Sequence, residues 1–232
     1  MLIPLTRKKF EQLIPILATG PQYAYYWGKF PDFIKRLLIS VVSVCLVVFI
    51  IGKFILGENA LTFFLAVMGG LYWLWAPVYW ATLRNLACRR FSYSGFWRGE
   101  VLDLFVSEEL IGEEQTVNNR GQLVIVENRE RRLNIEVGDE TGFTTQLQAP
   151  LRSEQKAIAI GQTAEMLVMS NSSDLSRISK VSDIYIPDKN LWVSDYPYLA
   201  RDAFTEVSDK LQYAGESENP RKRFRKTKRR KR

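Results

Sequence analysis

The sequence predicts an α+β membrane protein, in which a two-helix transmembrane hairpin is followed by a small antiparallel β sandwich or barrel with a C-terminal helix. Three observations predict it. Residues 37–83 hold two long apolar runs almost free of charge, residues from about 99 onward alternate apolar with polar side chains, and ten of the last twelve residues are Lys or Arg. The formal charge of +7 belongs to that tail, because the rest of the 232 residues carries 22 basic and 25 acidic side chains. These shifts divide the chain into an amphipathic, interfacial segment (1–36), the transmembrane hairpin (37–83), a basic juxtamembrane stretch (84–98), a β-rich domain ending in a helix (99–213) and a polybasic tail (214–232).

A bilayer core about 30 Å thick needs roughly 20 apolar residues in a helix. Leu37–Leu56 and Leu61–Trp80 both supply that length, with Lys53 as the single charge and near enough to its end to snorkel. Only Gly57-Glu58-Asn59-Ala60 lies between them, so an antiparallel pair is expected. The outer flanks carry Arg7, Lys8, Lys9, Lys29, Lys35 and Arg36 on one side and Arg84, Arg89, Arg90 and Arg98 on the other. The positive-inside bias then places both termini on the cytoplasmic or stromal face of a plasma or thylakoid membrane.

Tyr23, Tyr25, Tyr26 and Trp27 precede the first run, while Trp73, Trp75, Tyr79 and Trp80 crowd the end of the second. Amphipathic rings favour the headgroup region, so these eight are expected to anchor the membrane interface. Gly69-Gly70 would allow close helix contact, and Pro77 would kink the second helix. Near the N-terminus, residues 5–18 have the composition of a short surface helix broken near Pro15.

In the β-rich domain, residues 101–106, 123–126, 133–137, 143–147, 166–169 and 184–186 read as strands, and Asp139-Glu140-Thr141-Gly142 as a hairpin turn. OB-like, SH3-like and PH-like folds all fit that pattern. Ser194-Asp195 would cap a last helix whose apolar stripe runs Leu199, Ala203, Val207, Leu211, with Phe204 beside it.

The motifs of enzymes are missing. The chain has no histidine, no phosphate loop, no dinucleotide-binding turn, no nucleophile elbow and no CxxC pair. Cys45 and Cys88 fall at different depths and are not expected to pair. Glu108, Glu109, Glu113 and Glu114 form the densest carboxylate group, read as a solvated face before a cation site. No catalytic residue, metal or cofactor is assigned.

The tail cations Arg221, Lys222, Arg223, Arg225, Lys226, Lys228, Arg229, Arg230, Lys231 and Arg232 repel one another and are expected to bind a polyanion. Anionic lipid, an acidic protein surface and ribosomal RNA are the three classes that fit.

The segments LIPILATGPQYAYYWG (13–28) and GEVLDLFVSEELIGEE (99–114) resemble parts of an uncharacterised family of cyanobacterial membrane proteins with two spans. That resemblance includes no motif of known chemistry. The plan is also similar, in architecture alone, to photosystem assembly proteins that place a membrane hairpin before a small soluble domain. Together these features lead to the expectation of a membrane-anchored, non-enzymatic accessory or assembly factor. It would serve a larger membrane complex, with membrane lipids and that complex as partners. A transporter or channel subunit is the alternative.

Overall fold

A computed structural model describes residues 1–56, 59–117 and 123–218. Two units emerge: residues 1–13, 91–195 and 199–232 form a sheet unit, and residues 14–90 with 196–198 form a helical unit.

The sheet unit is built on one antiparallel sheet of seven strands. They are β1 (Leu2–Pro4), β2 (Tyr93–Val117), β3 (Leu123–Gly138), β4 (Thr144–Pro150), β5 (Thr163–Ser170), β6 (Lys180–Ile186) and β7 (Leu191–Val193), ordered β4-β3-β2-β5-β6-β7, with β1 also on β2. The expected sandwich or small barrel is therefore corrected. β2 runs for 25 residues and pairs in turn with β5 through Tyr93–Glu100 and with β3 through Glu100–Val117, which ties every strand into one sheet. Period-two alternation reports two different faces but does not say what covers them.

One face buries Trp97, Val101, Ile135, Met166, Val168 and Ile184 in a single apolar cluster. The other is covered by helices rather than by a second sheet. α1 (Arg7–Leu13) touches both β2 and α6 (Arg201–Glu218), and Phe204 of α6 stacks on Phe96 and meets the rings of Tyr185 and Trp192. Gly99 is required at its place, since a Cβ there would lie 2.2 Å from the Gly138 carbonyl oxygen and 2.3 Å from the Trp97 ring. The β3–β4 turn forms over Asp139–Gly142 as read, with Gly142 at φ 87°. The last helix starts at Arg201, so Ser194-Asp195 does not cap it, and Asp195 instead meets Arg132 at 3.5 Å.

The helical unit departs further from expectation. α2 (Gly20–Trp27) leads into α3 (Phe30–Leu46), which continues as a π-helical stretch (Val47–Leu56). Phe30–Lys53 is the one straight helix among the described residues long and apolar enough to cross a membrane, by length and composition. The second run is two helices, α4 (Ala60–Gly70) and α5 (Tyr72–Arg89), bent by 74° at Leu71. The expected two-helix transmembrane hairpin is thus overturned: one helix has the length and apolarity of a span, and the second run is broken. The bend falls just after Gly69-Gly70, where helix propensity is low, and Pro77 sits buried inside α5 rather than at the break.

Side chains satisfy the backbone groups that the break leaves over. Ser40 Oγ accepts from the Trp73 N–H (3.0 Å), and the Trp75 indole donates to the Met68 carbonyl (2.9 Å).

Candidate functional site

The helical unit has an inverted interior. Among the residues of α3, its continuation, α4 and α5 whose burial is described, the buried ones are Ser40, Gly52, Thr62, Ala76, Pro77, Ala81, Asn85 and Cys88, all small or polar. The large apolar side chains point outward: Leu38 is 63 % exposed, Phe49 65 %, Phe63 73 % and Phe64 57 %. Only 6 % of the apolar window in Phe30–Lys53 is buried.

The helices meet along a seam of small groups. A Cβ on Gly69 would lie 3.0 Å from Ser43 Cβ, one on Gly70 3.2 Å from the Val44 side chain, and one on Gly52 3.0 Å from the Thr62 methyl. Asn59 starts α4 by accepting from the Leu61 and Thr62 amides, each at 3.0 Å.

Two polar devices lock the helices. Gln22 and Asn85 are fully buried and exchange amide hydrogen bonds in both directions, at 3.0 and 2.9 Å. Gln22 also accepts from the Thr19 amide and donates to the Tyr198 carbonyl, so one side chain fixes the start of α2, the face of α5 and the 196–198 segment. Arg36 closes α2 from the other end. Its guanidinium donates to the carbonyls of Tyr26 and Trp27 and lies over the Trp27 ring.

The eight aromatic residues singled out from the sequence all fall in this unit. Trp27 stacks with Tyr23 and meets Trp73, while Trp75 and Tyr79 form an edge contact and Tyr79 and Trp80 another. Tyr25 and Tyr26 turn to Tyr196, whose ring faces the Arg84 guanidinium at 4.3 Å. Burial in that cluster raises the Tyr196 phenol pKa.

Gln22, Ser40, Asn85 and Tyr196 were missed from the sequence. Ser40 and Asn85 did leave a signal, as polar residues inside or just beyond apolar runs.

In the sheet unit the acidic residues do not converge. Glu108 lies 3.5 Å from Arg131 and Glu109 2.5 Å from Arg132, both across the β2–β3 pair. No group of three or more His, Cys, Asp or Glu is placed to hold a metal ion among the described residues. Glu165 is fully buried against Arg98 at 2.5 Å, a cross-strand pair within the sheet.

Two aspartates are held below the ordinary carboxylate range. Burial pushes Asp139 up, but the Thr141 hydroxyl and amide, the Trp97 indole and the terminal ammonium outweigh it. At Asp174, the Ser172 hydroxyl, followed by the Ser176 amide and hydroxyl, lowers the pKa to about 2. Both are turn-forming carboxylates. The ten tail cations lie outside the described residues.

Residues 3–218 match the model of the family of unknown function DUF8619. No curated protein and no solved structure matches the chain. The chain belongs to DUF8619.

Proposed function

We propose that this member of the family of unknown function DUF8619 is a membrane-anchored, non-enzymatic accessory or assembly factor for a larger membrane protein complex. The observation that carries the reading is the inverted interior of the helical unit. In water, apolar side chains are driven inward. In lipid that drive is absent, and helices associate through small residues and interhelical hydrogen bonds. Ser40, Gly52, Thr62 and Asn85 inside, with Ser43 and Gly69 half-buried at the seam and Leu38, Phe49, Phe63 and Phe64 outside, follow the second rule.

β1 pairs with Gly95–Trp97 of β2, and Arg7 donates to the Phe91 carbonyl at 2.7 Å. Within the sheet unit, the stretch before residue 14 and the stretch after residue 90 therefore start from neighbouring places. The anchor of this proposal is the one apolar helix Phe30–Lys53. The basic flanks, from Arg7 to Arg36 and from Arg84 to Arg98, favour a cytoplasmic or stromal setting for those flanks. The aromatic residues of α2 and α5 take the headgroup level, and the tail reaches a polyanion there.

Confining a docking domain to a membrane raises its effective concentration for membrane partners. The test is recovery of the tagged native protein after gentle solubilisation at low and moderate salt. A stoichiometric membrane complex is expected. Recovery of the chain alone, even after crosslinking, would contradict the accessory role.

A further inference from the structure

The sheet projects a two-stranded ribbon. Beyond Glu100, β2 has no strand partner on its β5 side among the described residues, and β3 before Arg132 has none on its β4 side. Residues 103–117 and 123–130 therefore pair as strands only with each other and leave two free edges, the Arg131 carbonyl accepting from the Leu151 amide at 3.0 Å. Leu102, Phe105, Val106, Leu110 and Ile125 are each at least 45 % exposed along or beside this ribbon. An isolated pair of strands is marginal in water, and a free edge is a template for another strand.

Charge selects what can lie there. Between Asp103 and Glu136 the sequence carries eight carboxylates and four guanidiniums, and all five of the charges on the β2 limb are acidic. Glu113 stands directly opposite Glu127, and Glu109 opposite Glu130, like-charge pairs that weaken a sheet. Arg131 and Arg132 answer Glu108 and Glu109 near the base. Two β2 limbs from two copies would set five carboxylates against five, so self-pairing along this edge is repulsive.

We propose that the β2–β3 ribbon is the docking site for the chain's own polybasic segment, Arg221–Arg232. The described part of α6 ends at Glu218, and the 14 residues that follow span up to roughly 45 Å when extended. They bring ten cations and one aromatic ring, Phe224, to a surface that offers carboxylates with apolar side chains between them. An anionic lipid surface would compete for the same cations, so the ribbon holds the tail until a stronger polyanion draws it away. The contact lies within the sheet unit and stands independently of the membrane reading.

The experiment is zero-length carboxylate–amine coupling of the full-length protein in mild detergent, using a mixture of unlabelled and nitrogen-15 chains, with the links mapped by mass spectrometry. Links from Lys222, Lys226, Lys228 or Lys231 to Glu108, Glu109 or Glu113 are expected within single isotopic species. They should fall about tenfold at roughly 0.5 M salt, where surface attraction is screened, and in the E108Q/E109Q/E113Q variant. The Glu206–Lys210 ion pair of α6 should still link in both cases and reports that the fold is intact. Tail lysines linked only to other carboxylates, linked only between the two isotopic species, or not linked at all would each overturn the assignment.

Discussion

The two units solve opposite packing problems. In the sheet unit Trp97, Ile135, Met166 and Ile184 are at most 1 % exposed and charge lies mainly outside, as expected of a chain that folds against water. The helical unit reverses this, with Gln22 and Asn85 fully buried and Phe49 and Phe63 outside. Under the proposed membrane reading, one chain carries two solvation rules. The difference teaches that the helices are held together by specific hydrogen bonds and close contacts, whereas the sheet is held by area removed from water.

Four measurements break or sharpen that contrast. The largest effect is expected at Trp97→Ala, which should destabilise the sheet unit by about 3–5 kcal/mol, read by denaturant unfolding of the whole chain in detergent. Phe49→Ala in the helical unit should cost less than about 1 kcal/mol in the same assay, because an exposed ring leaves no cavity. Equal costs at the two rings would break the comparison.

Next, Asn85→Leu should destabilise the helical unit by about 1–3 kcal/mol, by leaving the buried Gln22 amide without its reciprocal partner. Adding Gln22→Leu should cost less than the sum of the two single changes. Additivity within about 0.5 kcal/mol would mean that the pair does not act as one lock.

Ser40→Ala is a smaller change, about 1 kcal/mol. Its signature is faster exchange of the Trp73 amide, whose acceptor it removes, and an unchanged exchange rate would count against the account of the break at Leu71.

The smallest effect concerns pH and belongs to the sheet unit. Asp139 and Asp174 have folded-state pKa values below the ordinary one, so their contribution is present above a pH of about 4 and lost as the pH falls. For Asp174 the loss extends down to about 2. Asp174→Asn should flatten the acid limb of the stability curve over that interval, and an unaltered limb would remove Asp174 from the account.

How legible this was in the sequence follows from what each pattern encodes. Alternation along Leu133, Ile135 and Val137 revealed a strand, since a half-buried sheet needs period two. It carried no information on partners, so the single sheet, its 25-residue β2 and the helical cover over Phe96 stayed hidden. The stripe Leu199, Ala203, Val207, Leu211 located the last helix, although Leu199 precedes its first residue, Arg201, and Phe204, placed beside that stripe, is the ring fully buried against the sheet. Length and apolarity located a first run at Leu37–Leu56, where the structure has an apolar helix over Phe30–Lys53. The same criteria joined α4 to α5 across Leu71, because hydropathy cannot sense a change of direction. The locks Gln22–Asn85 and Ser40–Trp73 join residues 63 and 33 positions apart, beyond the reach of any local pattern.

The inverted helical unit is tested most directly at Cys45, which lies exposed on α3, with Cys88 replaced by alanine. A nitroxide attached to Cys45 in native-like bilayers should collide readily with oxygen, which concentrates in lipid, and rarely with a polar nickel complex. Frequent collisions with the nickel complex would place that face in water and contradict the account.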